Sequence, residues 1–152
     1  MVSIPLVKPR DPRVQCLPHK GPALMVDEVI AYAPASVKAR LTVLPQNIYV
    51  RAGQFQVAGL IEHIAQTVAL YKGMEAQTLQ QEGQKGYLTA IRKLTVEREI
   101  PVGAIITTEI FILMDAKTAI KAKSITRMGG QLIGTSEMLF MLKSRGDSPH
   151  LS

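Results

Sequence analysis

The sequence predicts an α+β fold in which one long central helix is wrapped by a curved antiparallel β-sheet. Two observations lead to this prediction: a single long amphipathic stretch, and four consecutive strand-like runs joined by short turns. A chain of 152 residues with 47% hydrophobic content can bury one core of its own. We therefore expect a single domain over residues 1–152, with a proline-rich N-terminal arm at 1–13 and a flexible tail at 143–152.

The amphipathic stretch is VAGLIEHIAQTVALYKGMEAQ, from Val57 to Gln77. Its apolar residues recur with the i, i+3, i+4, i+7 spacing that places them on one buried face of a helix. They are Val57, Leu60, Ile61, Ile64, Ala65, Val68 and Ala69. Gly73 predicts a weakening of this helix, and the run QQEGQKG predicts its end.

Strand-like segments lie on both sides of the helix. PALMVDEVIAYAPASVKARLTVLP reads as two strands joined by a turn at Ala33 to Ser36, with a bulge near Asp27. LPQNIYVRAGQFQ reads as an irregular connector. After the helix come GYLTAIRKLTVE, AIITTEIFILMD, TAIKAKSITRM and QLIGTSEMLFML, punctuated by turn residues. The last three predict an antiparallel meander, because their spacing leaves no room for a crossover helix.

Charge and cysteine content narrow the possible classes of partner and compartment. A net charge of +6 and a pI near 9.6 favour an acidic partner. Cys16 is the single cysteine, so no intrachain disulfide forms. The segment MVSIPLVKPRDPR does not resemble a signal peptide, and no run approaches the roughly 18 apolar residues of a membrane-spanning helix. We expect a cytoplasmic protein without membrane insertion.

The sequence gives little support for a nucleic-acid ligand or a metal ion. A small basic nucleic-acid binder is the weakest functional hypothesis, because the charges are scattered along the sequence and aromatic residues are few. Three histidines and one cysteine show no metal-ligand spacing. The sequence therefore predicts no nucleic-acid partner, no metal site and no cofactor.

Four local strings, in the same order along the chain, resemble the hotdog-fold β-hydroxyacyl-acyl carrier protein dehydratases. LPHKGPALMVDEVI resembles their N-terminal segment and GLIEHIAQTVAL their central helix. REIPVGAIITTEI and GGQLIGTSEMLFML resemble two of their later strands. The resemblance covers roughly Leu17 to Leu142 and is nearest to a divergent branch linked to aryl polyene and fatty-acid-like pathways. It implies a hotdog fold.

The resemblance implies loss of water from a 3-hydroxyacyl thioester of acyl carrier protein or coenzyme A. That reaction needs a proton-transfer group and hydrogen-bond donors for the thioester oxygen. The acidic residue of the family matches Glu62, and Gln66, one turn later, is placed to orient it. Ala58 and Gly59 would offer backbone N–H groups at the helix N-terminus.

The chain departs from this family at the catalytic histidine. The family carries an HFPG string about a dozen residues before its helix carboxylate, whereas PQNIYVRAGQF contains no histidine. Three explanations are open. His19 or His63 acts as the base; Asn47 or Tyr49 polarises the substrate; or the chain is a non-catalytic subunit of an active dehydratase. A thioesterase on the same fold is a variant of the first, since a carboxylate here also activates water.

Each candidate also has a structural interpretation. Glu62 is favoured near a helix N-terminus by the helix dipole alone. His63 lies about 100° around the helix from Glu62, which predicts a surface or interface position. His19 lies in a turn where it would make a structural hydrogen bond, and His150 lies in the polar tail.

The resemblance also implies partner subunits. Pairing of two chains would cover the exposed edge of the sheet, so we expect a homodimer or a heterodimer with a related hotdog subunit that supplies the missing histidine. A basic set of side chains is either a solvated face or a docking surface for an acidic carrier protein. It comprises Lys20, Arg92, Lys93, Lys121, Lys123 and Arg127.

Overall fold

A six-stranded antiparallel sheet and one long helix form most of the described part of the chain. The computed structural model describes residues 11–143, so most of the predicted arm and tail lies outside the described residues. In chain order the elements are β1 Glu28–Ala33, β2 Ser36–Thr42, β3 Val50–Arg51, β4 Gln54–Phe55, α1 Val57–Thr78, β5 Gly86–Val96, β6 Ile105–Asp115, β7 Ala119–Met128 and β8 Gln131–Leu142. Two 3-10 turns, Pro12–Cys16 and Gly21–Ala23, precede β1.

The strand order across the sheet is β1-β2-β6-β7-β8-β5, while β3 and β4 form a separate two-stranded ribbon. The predicted fold class, the two strands before the helix and the meander of β6, β7 and β8 are confirmed. No helix within residues 11–143 is both long and apolar enough to cross a membrane.

Three local predictions need correction. The helix does not weaken at Gly73, because that glycine lies against Cys16, whose Sγ would be 2.5 Å from a β-carbon at position 73. The segment expected to be irregular contains the β3–β4 ribbon. The bulge lies between Val29 and Ala31, while Asp27 accepts a hydrogen bond at 2.6 Å from the backbone N–H of Thr42.

The core lies between α1 and one face of the sheet. Burial alternates along β2, β6 and β7, so that every second side chain faces the helix. Two pairs of buried hydroxyl groups join neighbouring strands within this face, Thr108 to Thr126 at 2.7 Å and Ser124 to Ser136 at 2.6 Å. Each hydroxyl therefore satisfies its partner without solvent.

The two edges of the sheet differ in whether hydrogen bonds cover the backbone groups of the outermost strand. At the β1 edge, the Asp11 carboxylate accepts the N–H of Val29 at 2.9 Å and the Arg13 guanidinium donates to the Val29 carbonyl at 2.8 Å. Partial burial raises the pKa of Asp11, but hydrogen bonds from Arg13 and Val29 outweigh this and lower it below its ordinary value. At the other edge, β5 pairs with β8 alone among the described strands and is largely exposed. The β5 edge is the one open to a further strand.

A bulge in β5 depends on a glycine in the neighbouring strand. The register shifts between Arg92 and Thr95, and Lys93 adopts a positive φ of 53°. This brings the Thr95 carbonyl so close to Gly134 that a β-carbon there would overlap it. Only glycine fits at position 134 with the bulge in place.

Gly134→Ala is therefore expected to lower the free energy of unfolding by about 1–3 kcal/mol, the usual cost of an overpacked site. Urea denaturation measures this change. Gly83→Ala is the matched control, because no heavy atom lies within 4 Å of a β-carbon there. Equal stability of the two variants would contradict this expectation. It would show that β5 loses the bulge with little change in the free energy of unfolding.

Candidate active site

Glu62 lies in the second turn of α1 with its side chain half-buried. Its Oε2 atom accepts a hydrogen bond at 3.1 Å from Nε2 of Gln66. Among residues 11–143, no hydrogen bond or ion pair joins Glu62 to a histidine. The carboxylate is thus oriented from one side and remains open on the other.

Gln66 fixes both this carboxylate and the segment that precedes β1. Its side chain is buried, and its Oε1 accepts the N–H of Met25 at 2.7 Å. Its Nε2 donates to the Ala23 carbonyl at 2.9 Å and to Glu62. The two amide hydrogens and the amide oxygen are therefore all used, which determines the orientation of the side chain.

Gln66→Leu is expected to lower the free energy of unfolding by about 2–4 kcal/mol, because the Met25 N–H and the Ala23 carbonyl would lose their partner in the interior. Chemical denaturation gives the value. Gln77→Leu, at an exposed position of the same helix, is the control with little expected change. A Gln66→Leu protein as stable as this control would mean that segment 23–25 finds other partners.

His63 is fully buried, so the expected surface position is wrong. Its Nδ1 lies 2.7 Å from the Met25 carbonyl oxygen, which can only accept, so Nδ1 carries the proton of the neutral ring. Its Nε2 is buried without a hydrogen-bond partner in the described structure. Burial, opposed by the hydrogen bond to Met25, lowers the pKa of His63 to about 4. The ring holds segment 23–25 and has no contact with solvent.

Two further candidates have side-chain atoms engaged within the chain. Asn47 accepts the N–H of Tyr49 at 2.9 Å, and its Nδ2 lies 3.4 Å from Sδ of Met25. The Tyr49 ring packs edge-on against Phe55, with 6.5 Å between centroids. His19 is half-buried between the two 3-10 turns, and its Nδ1 has no partner among the described residues. Of these three, His19 keeps Nδ1 and Tyr49 keeps its hydroxyl without a hydrogen-bond partner among the described residues.

The N-terminus of α1 offers fewer donors than expected. The N–H of Gly59 already donates to the Gln56 carbonyl at 2.9 Å. A β-carbon at Gly59 would lie 2.5–2.6 Å from side-chain atoms of Phe55 and Tyr49. Gly59 therefore accommodates these side chains and not a ligand, which corrects its predicted role. Val57 and the exposed Ala58 precede this first bond, so their N–H groups are the candidate donors.

An open cleft of about 490 Å³ lies at this end of the helix. The N-cap residue Gln56 makes no side-chain capping bond and donates instead to the Gln54 carbonyl at 3.1 Å. The cleft is lined by residues 51–52, 54–57, Leu60 and 96–100, which include charges of both signs. No local pattern in the sequence predicts this cleft, because the segment after β5 reaches the helix N-terminus only through the tertiary fold.

One long helix packed against a curved antiparallel sheet, with a half-buried glutamate on that helix, is the architecture of a hotdog-fold protein. Residues 12–135 match the family model described as ApeP-like: ApeP dehydratase. The chain belongs to this ApeP-like family.

Individual relatives are distant. The 3-hydroxyacyl-[acyl-carrier-protein] dehydratase FabZ of Thermoanaerobacter sp. (strain X514) is 23% identical over 135 residues, which span 86% of this chain and 94% of that protein. The FabZ of Anaeromyxobacter sp. (strain K) is 24% identical over 135 residues, 85% of this chain and 86% of that protein.

Two solved structures show the same fold at low sequence identity. The dehydratase heterocomplex ApeI:P from Xenorhabdus doucetiae superposes with a TM-score of 0.82 at 16% identity, covering 88% of this chain and 92% of that chain. Thioesterase superfamily member 2 from Mus musculus gives a TM-score of 0.60 at 16% identity, covering 76% and 81%.

Proposed function

We propose that this chain is one subunit of a two-chain dehydratase acting on 3-hydroxyacyl thioesters of acyl carrier protein. In this proposal Glu62 supplies the carboxylate of the site and a related hotdog subunit supplies the histidine. The observation that carries it is the contrast between Glu62, which is oriented and half-exposed, and His63, which is sealed in the core.

The chain's own residues suggest a division of labour. Glu62 transfers the proton, and Gln66 is a positioning residue that holds the carboxylate through its Nε2 hydrogen bond. The N–H groups of Val57 and Ala58, together with the helix dipole, stabilise the negative charge that develops on the thioester oxygen. The uncapped helix end borders the open cleft through Val57, although neither Ala58 nor Glu62 lines that cleft.

The sheet edges support assembly through β5. Asp11 and Arg13 occupy the hydrogen-bonding groups of Val29 at the β1 edge, whereas β5 presents an exposed strand of 11 residues. A second subunit added at β5 would satisfy its unpaired backbone groups. The solved relative from Xenorhabdus doucetiae is itself described as a heterocomplex, and the FabZ relatives are named for acyl carrier protein substrates.

The test compares this chain alone with its mixture with a hotdog dehydratase subunit that carries an HFPG histidine. The substrate is a 3-hydroxyacyl-acyl carrier protein, and mass spectrometry follows the loss of water. We expect no turnover by this chain alone and turnover by the mixture above that of the partner alone. Turnover by this chain alone would contradict a partner-supplied histidine. Release of free acid instead of water loss would indicate a thioesterase, and no enhancement in the mixture would refute the proposal.

A further inference from the structure

One end of the sheet gathers apolar side chains on the face that points away from α1, here called the outer face. Tyr87 of β5 pairs with Met141 of β8, which also pairs with Ala119 of β7. The next outward row across β5, β8, β7 and β6 comprises Ala90, Leu139, Lys121 and Met114. Two adjacent rows of the outer face are therefore apolar except for one lysine.

Four large apolar side chains at this end of the sheet are strongly exposed. Their exposed fractions are 58% for Tyr87, 50% for Leu113, 45% for Met141 and 41% for Met114. Leu113 lies at the register shift between Ile112 and Met114, next to the outward row. With Leu139 these side chains form what is here called the apolar patch. Soluble proteins rarely expose several large apolar side chains together unless the surface binds something.

Basic side chains border the apolar patch on both sides. Beyond Tyr87 and Met141, the N–H of Lys143 donates to the Lys85 carbonyl at 2.8 Å. This bond continues the β5–β8 ladder, so strand alternation places both lysines on the outer face. On the opposite side of the patch, the next outward row contains Arg92 and Lys123 with Glu137 between them.

The acidic groups nearest the patch are already paired. Asp115, which follows Met114, accepts a hydrogen bond at 3.1 Å from Nζ of Lys72. Glu137 lies 3.8 Å from Lys121. By contrast, Lys85, Lys117 and Lys143 form no ion pair with any residue of the described chain. The border of the patch therefore carries an excess of positive charge.

The shape of the patch favours a planar ligand. Neither the 490 Å³ cleft at the helix N-terminus nor a second cleft of about 260 Å³ beside β1 is lined by any of its residues. Protein partners usually anchor their central side chains in pockets, whereas a bilayer surface needs none. A second copy of this chain also fits poorly, because it would bring its own bordering lysines into the same interface.

We propose that the apolar patch and its bordering lysines dock this protein on the surface of an anionic lipid bilayer. The leucine and methionine side chains enter the boundary between headgroups and acyl chains, and the Tyr87 hydroxyl stays at headgroup level. Lys85 and Lys143 extend to the lipid phosphates. The contact is peripheral and needs no membrane-spanning segment.

This surface is separate from the proposed active site. It lies at the end of the sheet where Asp115 meets Lys72, near the C-terminus of α1, whereas Glu62 is in the second turn of that helix. The patch also uses outward side chains of β5 and leaves the backbone edge of that strand free. Docking on a bilayer therefore goes beyond the proposed dehydration and does not depend on it.

The probe is a set of large unilamellar vesicles, made of phosphatidylcholine alone or with about 30% phosphatidylglycerol. Co-sedimentation of the full-length chain measures its partition between water and vesicles. We expect partition onto the anionic vesicles to exceed that onto the neutral ones at least about 10-fold near 0.1 M salt. Raising the salt to about 0.5 M should reduce the difference, because the lysine contribution is screened.

Leu113→Ser tests the apolar contribution and should weaken partition onto anionic vesicles by about 5-fold. Leu44→Ser is the matched control with less than about 2-fold change expected, because Leu44 is 48% exposed but lies in the connector after β2. Thermal melts of both variants show whether each is folded.

The charge contribution is tested by Lys85→Glu combined with Lys143→Glu, which should weaken partition at least about 10-fold. Lys20→Glu combined with Arg51→Glu makes the same change in net charge at exposed positions outside the patch. If the patch is the docking surface, this control should keep most of the binding.

Three results would overturn the proposal. The first is equal partition onto neutral and anionic vesicles. The second is equal loss of binding in the patch variants and their controls, which would indicate a general effect of net charge. The third is concentration-dependent self-association that Leu113→Ser abolishes, because the patch would then bind a second copy of the chain. None of these results bears on the dehydratase assay, which contains no lipid.

Discussion

Glu62→Gln is expected to lower kcat/KM of the two-subunit dehydratase by about 10²–10⁴-fold, the usual contribution of a positioned acid–base group. The amide has nearly the same shape as the carboxylate but cannot exchange a proton at neutral pH. The change should cost less than about 1 kcal/mol in stability, because the side chain is half-buried and a glutamine can still pair with Gln66. Mass spectrometry of the dehydrated product, beside a thermal melt of the complex, measures both quantities.

A second form of the assay separates the role of Glu62 from that of the partner's own carboxylate. In this form the partner subunit keeps its histidine but lacks its helix carboxylate. Turnover then depends on Glu62 as the remaining carboxylate, and Glu62→Gln should abolish it. Glu75→Gln is the matched control, because Glu75 is on the same helix but pairs with Lys72 at 2.8 Å, away from Gln66. If the Glu62→Gln complex retained full activity with either form of the partner, this chain would have a purely structural role.

His63 should make the protein lose stability as the pH falls from about 6.5 to about 4. The pKa of His63 is lowered to about 4 in the folded chain and is near 6.5 when unfolded, so within this window only the unfolded chain binds the proton. Stability is thus fully present above pH 6.5 and is lost as the pH falls toward the folded pKa. The expected loss attributable to His63 between pH 7.5 and pH 4.5 is about 2.5 kcal/mol.

His63→Asn tests this expectation, because its amide can donate to the Met25 carbonyl from near the position of Nδ1 but does not titrate. The variant should be less stable at pH 7.5, since a smaller side chain leaves a cavity, yet lose about 2.5 kcal/mol less than the parent on acidification to pH 4.5. Gln77→Asn, at an exposed and non-titrating position of the same helix, serves as the control and should keep the parent's pH dependence. Urea titrations at both pH values supply the comparison, and parallel losses for parent and His63→Asn would contradict a buried neutral His63.

The sequence by itself determined the elements whose signals are local. Apolar residues at helical spacing between Val57 and Gln77 predicted α1 to within one residue, and the four later strands followed from runs bounded by turn residues. The sequence alone also indicated the dehydratase-like family, through the four matched strings. It likewise showed that the HFPG histidine is missing.

The tertiary structure decided what each polar side chain near the site does. Helical geometry correctly separated His63 from Glu62. It did not show that segment 23–25 hydrogen-bonds to His63 and Gln66, or that the histidine is buried. Gly59 likewise resembled a ligand-facing glycine until Phe55 and Tyr49 were found against it. These contacts join residues that are distant in the chain. The hydrophobic periodicity of the sequence therefore does not predict them.

The clustering of basic side chains on the sheet face that points away from α1 has the same physical origin. Lys38, Arg92 and Lys123 are far apart in sequence, and only the register of β2, β5 and β7 places them on one surface. Protection of the β1 edge also depends on tertiary contacts, because Asp11 and Arg13 hydrogen-bond to the backbone of Val29, which is distant from them in the sequence. Local periodicity determines which backbone segments form, whereas burial, edge protection and charge clustering depend on which segments become neighbours.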